Sequence, residues 1–250
     1  MTTPAAPDCS FKDLCLDAPD AEPLARFWAA ALGRPVRDCG DGGWQVQPVA
    51  GRGPAEGIWV DPVPEPRTVK TRVHLDLRLA APDPGALLAL GATVLREPGA
   101  DGTDDHWWVL ADPDGNAFCA FPPRTGSAAG PDDPSGTPFE LVVDARDAEA
   151  QARWWAERTG GTARSEGGVP WWWVEGTAGF PYDAWVFNPV PEPKSVKNRM
   201  HWDVRLAGTD PAALLAAGAT LLREPDDEID WWVLADPEGN EFCAFSPAAD

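Results

Sequence analysis

Short stretches rich in hydrophobic residues, separated by turn-forming residues, predict a series of β-strands along the chain. Amphipathic stretches with a helical period lie between some of them and predict helices. In the first half, strands are predicted at 12–17, 44–48, 58–61, 73–79, 93–96, 107–111 and 117–121, and helices at 21–32 and 84–90. In the second half, the same order predicts strands at 139–144, 171–174, 184–187 and 200–206, and helices at 148–159 and 211–217. Three more strands are predicted after the last helix, as in the first half.

The order of elements recurs because the sequence is duplicated. Residues 63–79 match residues 190–206 at 11 of 17 positions, at an offset of 127. The segment WWVLADPDGNAFCAF at 107–121 returns, nearly unchanged, at 231–245. A repeat of this length is a whole domain, so we predict two α+β domains at residues 1–126 and 127–250, each made of two βαβββ units. A linker rich in Gly, Pro, Ser and Asp, at about 122–138, would join them.

One strand of each domain carries ionisable side chains at every second position, which an extended backbone places on one face. These residues are Lys70, Arg72, His74, Asp76 and Arg78, and in the second copy Lys197, Arg199, His201, Asp203 and Arg205. Two interpretations remain open. The row either faces water on a half-solvated strand, or lines a pocket as a cationic stripe that attracts a carboxylate or phosphate group.

Composition limits the classes of partner. The formal net charge of −20 disfavours binding to nucleic acid or to an anionic membrane. We find no apolar run long enough to span a bilayer and no secretory signal at the N-terminus. Five cysteines at unrelated spacings suggest a reduced, cytoplasmic protein.

Fourteen tryptophans are an excess that bears on function. The pairs Trp107-Trp108 and Trp231-Trp232 put one indole on each face of a strand, and Trp172 lies in a run of three. Some of these rings are expected in the core. The others would line a pocket, where they could stack on a flat ligand or hold a cation.

The motif His-Leu-Asp at 74–76 and the segment Asp-Pro-Asp-Gly-Asn-x-Phe at 112–118, in this order of elements, resemble the glyoxalase/bleomycin-resistance family of the vicinal-oxygen-chelate superfamily. More narrowly, the chain is similar to the glyoxalase-like domains common in actinobacteria. The resemblance covers nearly the whole chain, twice. It implies that each domain folds eight strands into a mixed, cupped sheet around one cavity. Such folds serve metal-dependent lyases, isomerases and dioxygenases, and also metal-free drug-binding proteins.

The resemblance also implies positions for a metal on the first, fourth, fifth and eighth strands. They fall on Asp13, Trp59, His74 and Cys119 in the first copy, and on Glu140, Trp185, His201 and Cys243 in the second. Tryptophan cannot ligate a metal, and cysteine replaces the usual glutamate of the last strand. A divalent metal held by Asp13, His74 and Cys119, or by Glu140, His201 and Cys243, is therefore possible, but no cofactor is favoured.

The leading functional hypothesis is binding of a small aromatic or anionic organic molecule, without a metal, in one or both cups. The walls would be Trp59, Trp185, the tryptophan pairs and the two rows of ionisable residues. The alternative is a lyase, isomerase or related enzyme that uses the pair Asp13/His74 or Glu140/His201, with or without a divalent metal. A third hypothesis makes one cup purely structural and filled by its own tryptophans. The chain would act as a monomer or a homodimer.

Overall fold

A computed structural model describes residues 6–49, 51, 53–102, 104–125 and 134–247. Within these residues the chain forms sixteen strands and four α-helices. The first half contains β1 (Cys9–Ala18), α1 (Ala21–Ala31), β2 (Val36–Asp38), β3 (Trp44–Val46), β4 (Ile58–Pro62), β5 (Val73–Leu79), α2 (Gly85–Ala89), β6 (Thr93–Arg96), β7 (Trp108–Ala111) and β8 (Ala117–Phe121). The second half contains β9 (Gly136–Ala145), α3 (Ala148–Thr159), β10 (Thr162–Arg164), β11 (Trp172–Glu175), β12 (Ala184–Pro189), β13 (Met200–Leu206), α4 (Ala212–Ala216), β14 (Thr220–Arg223), β15 (Trp232–Ala235) and β16 (Glu241–Phe245).

The strands form two eight-stranded mixed sheets, which confirms the predicted α+β fold class. One sheet has the order β14-β15-β16-β13-β1-β4-β3-β2, and the other has the order β10-β11-β12-β9-β5-β8-β7-β6. We call the first sheet the terminal cup, because it joins the first and fourth βαβββ units. The second is the central cup, because it joins the second and third units.

The pairing of the units differs from the prediction, in which each repeat closes its own cup. Strand β1 pairs antiparallel with β13, and β5 pairs antiparallel with β9, so every cup contains one unit from each repeat. Strand β13 is a copy of β5, and β9 is a copy of β1. Pairing of β1 with β5, within a repeat, would therefore join nearly the same sequences as pairing of β1 with β13, across repeats. The repeat pattern alone therefore could not distinguish them.

Within each repeat, a helix tryptophan of the first unit packs against the second unit. Trp28 of α1 packs on Phe118 of β8, with ring centroids 5.2 Å apart, and its indole N–H donates to Asp112 at 3.1 Å. In the second repeat Trp155 packs on Phe242 at 5.1 Å and donates to Asp236 at 3.3 Å. The helix of one unit thus packs against the next unit of the same repeat, while the cups are shared between repeats.

The Asp-Pro-Asp-Gly-Asn segment has a structural role in this arrangement. Asp112 Oδ1 accepts hydrogen bonds from the backbone N–H groups of Asp114 and Asn116. Gly115 has a φ of +82°, a conformation that favours glycine. The motif therefore closes the β7–β8 turn and anchors α1 through Trp28.

Two strands escaped prediction, β2 and β10. Both have three residues and lie at sheet edges, where they offer too few alternating positions to stand out. The end of the predicted linker is also corrected, because β9 already begins at Gly136, and residues 126–133 lie outside the described residues. Among the described helices, none has the length and apolar character needed to cross a bilayer.

Candidate functional site

The central cup encloses a cavity of about 950 Å³. Strand β5 contributes His74, Asp76 and Arg78 to its floor, because these alternate positions face inward. Glu140 of β9 lies opposite Asp76 in the strand register, so the two repeats place their carboxyl groups side by side. Cys119 of β8 completes the floor, with its Sγ 3.6 Å from His74 Nε2. His74 Nε2 lies 3.4 Å from Asp76 Oδ1.

Burial changes the acidity of these groups. Desolvation raises the pKa of Glu140 to about 7, and the nearby charge of Asp76 adds to the effect, while Arg78 opposes it. Desolvation also raises the pKa of the Cys119 thiol well above its usual value, with a further contribution from Asp76. Near neutral pH, the floor therefore combines a neutral thiol with a carboxyl group that exchanges its proton readily.

Aromatic rings form the walls of the central cup. Trp107 stacks on Phe121 with centroids 5.2 Å apart and an interplanar angle of 23°. Phe139 lies under the Arg78 guanidinium at 4.2 Å. Trp171 and Trp173 line the other side of the same cavity. These side chains give the cavity flat apolar surfaces around a polar floor.

The terminal cup has equivalent strands but a different interior. Lys12 Nζ bonds to Asp13 at 2.9 Å and to Asp203 at 3.0 Å, and the Trp59 indole donates to Asp13 at 3.0 Å. Lys12 also lies 4.1 Å from the centroid of Phe245. The protein's own side chains thus already satisfy both carboxylates. Burial raises the pKa of Asp203, Lys12 opposes the rise, and Asp13 reinforces it.

Each cup holds three groups of the kinds that bind metals. They are His74, Asp76 and Cys119 in the central cup, and Cys15, His201 and Asp203 in the terminal cup, with ligand atoms within 4.8 Å of one another in each trio. Zinc accepts this mixture of nitrogen, oxygen and sulfur donors. His74, Asp76 and Cys119 would supply three donors to a zinc ion in the central cup. In the terminal cup, burial lowers the pKa of His201, and Cys243 Sγ lies 3.8 Å from His201 Nε2.

The structure regroups the predicted acid–base and metal residues. Asp13 lies in the terminal cup with His201 and Cys243, whereas Glu140 lies in the central cup with His74 and Cys119. The predicted pairs Asp13/His74 and Glu140/His201, and the metal sets built on them, are therefore wrong as sets, because their members belong to different sheets. The residues themselves occupy cup positions, in exchanged combinations.

Trp59 and Trp185 are not equivalent, contrary to prediction. Strand β4 pairs Cys15 with Trp59, and β12 pairs Val142 with Val186, so Val186 is the counterpart of Trp59. Trp185 lies one residue earlier, faces the opposite side of the sheet and is fully buried. Segments before and after this strand repeat at an offset of 127 residues. The same offset makes Val186 the counterpart of Trp59 in the sequence.

The other predicted aromatic positions divide between cup and core. Trp107 lines the central cup, and Trp231 stacks on Phe245 of the terminal cup at 5.2 Å. Trp108, Trp232 and Trp172 pack against the hydrophobic core. Trp173 and Phe139 line the central cup but were not predicted from the sequence. Neighbouring side chains of a strand point to opposite faces, so a core position for Trp172 places Trp173 in the cup.

The predicted cationic stripe is interrupted. Only His74, Asp76 and Arg78 belong to β5, and residues 70–72 precede the strand. Arg72 and Arg199 line a separate cavity where the two repeats meet, which we call the junction pocket, and Lys197 lies there too. Lys70 borders both the junction pocket and the central cup. Arg72 and Arg199 are thus removed from the predicted list of cup residues.

Comparison with known families agrees with this architecture. The sequence model of the family described as "Glyoxalase-like domain" matches residues 13–121 and again residues 140–245. The chain belongs to the glyoxalase-like domain family. It is a tandem member of the vicinal-oxygen-chelate superfamily, as the resemblance had indicated.

Solved structures share the fold of this glyoxalase-like protein at low sequence identity. Glyoxalase I from Zea mays has a TM-score of 0.62 and 15% identity, over 95% of this chain and 92% of that chain. A "putative dioxygenase" from Bacillus subtilis has a TM-score of 0.63 and 11% identity, over 98% of this chain and 87% of that chain. A comparison with curated protein sequences finds no match. These likenesses establish the fold.

Proposed function

We propose that the central cup binds a small aromatic molecule. The observation that carries this proposal is a cavity of about 950 Å³ whose walls include the rings of Trp107, Trp173 and Phe139. A cavity of this size suits a drug-sized or smaller ligand, and flat rings stack on flat ligands. The terminal cup is a poorer ligand site, because Lys12 and Trp59 already form hydrogen bonds with its carboxylates.

The charges of the cavity narrow the ligand class. Its floor carries Asp76 and Glu140. Of the cations in the lining, Arg78 lies over Phe139 and donates to the Pro122 carbonyl, and Lys70 and Arg96 form ion pairs with aspartates. An anionic ligand would have to approach these carboxyl groups. A neutral or cationic aromatic molecule that donates a hydrogen bond to the floor fits better, since tryptophan faces also attract cations.

Adjacent tryptophans on opposite faces of β11 allow a matched test. Trp173 lines the cavity, whereas Trp172 packs on the core beneath Arg153. We expect neutral and cationic aromatic compounds to quench tryptophan fluorescence saturably, and Trp173→Leu to weaken binding by about tenfold, the loss of roughly one stacking contact. Trp172→Leu should leave the affinity unchanged when the affinity is calculated for the folded fraction of the protein.

Two results would reject this function. One is the absence of saturable quenching across neutral, cationic and anionic aromatic compounds. The other is equal affinity of the Trp172→Leu and Trp173→Leu proteins for every compound that binds.

Glu140 supports a second candidate, an enzyme that moves a proton in the same cavity. Its pKa of about 7 suits a general base or acid near neutral pH, and it faces the cavity beside Asp76. A zinc ion held by His74, Asp76 and Cys119 would supply a Lewis acid. Glu140 would then hold or accept the proton of the bound molecule, and the aromatic walls would orient it and exclude water.

Elemental analysis of protein purified without chelator tests the metal in this candidate. Stoichiometric zinc, nickel, manganese or iron would favour the enzyme. If the central trio holds the metal, His74→Ala should reduce the metal content to about half or less. A metal content that is negligible, or that His74→Ala leaves unchanged, would argue against a metal at the central trio.

A further inference from the structure

The junction pocket is a second large cavity, distinct from the cups, with a volume of about 940 Å³. It forms where residues 63–72 of the first repeat meet residues 190–199 of the second. Its chemistry plays no part in the function proposed above. Residues on its two sides correspond at the offset of 127, so the pocket has an approximate twofold symmetry.

The two repeats have kept the same residues here. Seven of the ten positions in 63–72 are identical in 190–199. Some matching positions inside the cups have diverged, as Lys12 against Phe139 demonstrates, whereas others, such as His74 and His201, are retained. In the junction pocket the retained residues give each side one lysine and one arginine.

Hydrogen bonds cross the symmetry axis in both directions. Arg72 Nη1 donates to the Glu192 carbonyl at 2.9 Å, and Arg199 Nη1 donates to the Glu65 carbonyl at 2.9 Å. Each guanidinium is therefore held in place by backbone of the opposite repeat. This contact fixes the orientation of the planar group without neutralising its charge.

The lysines and the arginines of the pocket differ in their partners. Lys70 pairs with Asp144 at 2.8 Å and Lys197 pairs with Asp17 at 2.5 Å, so these two charges are compensated. In the part of the chain that the structure describes, Arg72 has no carboxylate within ion-pair distance, and Arg199 has only Asp114 at 3.6 Å. The Nε atoms of both arginines are buried without a hydrogen-bond partner among the described residues.

Arg72 Nη2 donates to the Asp144 carbonyl at 2.9 Å, so backbone carbonyls orient both guanidiniums. Each terminal nitrogen of a guanidinium carries two N–H groups, and their fork geometry matches a carboxylate. Valine side chains line part of the pocket, namely Val63, Val69, Val190 and Val196. Its acidic lining residues include Asp144 and Asp17, which already pair with Lys70 and Lys197. This apolar lining suits a carbon chain. We propose that the junction pocket binds a small organic dicarboxylate, with one carboxylate at Arg72 and the other at Arg199.

Calorimetric titration with aliphatic dicarboxylates of increasing length, from malonate to adipate, tests the proposal at constant ionic strength. We expect saturable binding that peaks at one chain length, with the matching monocarboxylate about tenfold or more weaker, because it engages one arginine only. Arg72→Gln and Arg199→Gln should each weaken binding by about ten- to hundredfold, the value of a lost charged hydrogen bond.

Arg205→Gln is the control, since Arg205 also donates to a backbone carbonyl, that of Ser246, but lies outside the pocket lining. If Arg72→Gln fails to fold, Arg72→Lys keeps the charge and removes the fork, and it should still weaken binding. The Val186→Trp protein, altered only in the central cup, should bind the dicarboxylate normally, which separates this site from the proposed aromatic site.

Several outcomes would overturn the proposal. They are the absence of saturable binding by any dicarboxylate, equal binding of inorganic phosphate or monocarboxylates, and unchanged affinity in the folded Arg72→Lys and Arg199→Gln proteins.

Discussion

The terminal and central cups are built from the same repeated units, yet their interiors have opposite characters. Position 12 is a lysine that bridges Asp13 and Asp203, and its counterpart Phe139 offers a ring to the cavity instead. In the terminal cup the polar floor is satisfied internally. In the central cup it remains available to a ligand. A few exchanged side chains on equivalent strands thus distinguish a closed interior from an open one.

The largest expected effect is on the ion pairs of the terminal cup. Lys12→Met leaves the buried carboxylates of Asp13 and Asp203 without their cation and should lower the free energy of unfolding by about 3–5 kcal/mol. The loss should shrink at acid pH, where protonation removes the uncompensated charge. Urea unfolding at two pH values measures both.

Phe139→Met is the matched control in the central cup, where no ion pair is removed, and it should cost less than about 1.5 kcal/mol. If Lys12→Met destabilised the protein no more than this control, the terminal cup would not depend on its internal ion pairs.

The next effect concerns pH and the central cup. Because the pKa of Glu140 is raised from 4.5 to about 7, the folded state binds more protons than the unfolded state between these values. Stability from this group is therefore fully present below about pH 4.5 and is lost as pH rises toward 7, by about 1–3 kcal/mol in total.

Glu140→Gln should flatten that part of the pH–stability curve, as measured by urea unfolding between pH 4.5 and pH 8. Glu149→Gln, at an exposed position on α3, should retain the slope. A slope that was identical in wild type and Glu140→Gln would mean that Glu140 titrates normally.

A third prediction converts one cup toward the other. Val186→Trp places in the central cup the residue that the terminal cup carries at position 59, and it should fill part of the cavity. Aromatic ligands should bind about tenfold or more weakly, because their contact area is taken by the new indole. Fluorescence quenching measures the affinity.

The reciprocal change, Trp59→Val, removes the hydrogen bond to Asp13 and should lower stability by about 1–3 kcal/mol while leaving ligand affinity unaltered. Aromatic binding that survived Val186→Trp and was lost in Trp59→Val would assign the ligand to the terminal cup.

The smallest effect is expected at the rim of the central cup. The Trp173 indole donates to Glu175 at 2.9 Å, which helps to orient the ring. Since this pair is exposed, Glu175→Ala should change ligand affinity by only about two- to threefold. Glu149→Ala, which frees Arg153 beside Trp172 on the other face, is the control and should have no effect on affinity. An effect as large as that of Trp173→Leu would show that the rim, and not the ring, determines binding.

The amino-acid sequence alone predicts the duplication, the βαβββ units, the α+β fold class and the common face of His74, Asp76 and Arg78. These follow from local periodicity, because alternation along a strand decides which side chains share a face. It also contained the correct counterpart of Trp59, through the constant offset of 127, although equating two tryptophans by type placed Trp185 on the wrong face.

Which units share a cup could be learned only from the folded chain. Since β5 and β13 are near copies, β1 could pair with either by sequence, and in the folded chain it pairs with β13. That choice joins Glu140 to His74, and Asp13 to His201. It also creates the junction pocket, whose arginines precede their strands and reach across to the other repeat. Contacts between distant segments have no periodic signature in the chain, and so they appear only once it is folded.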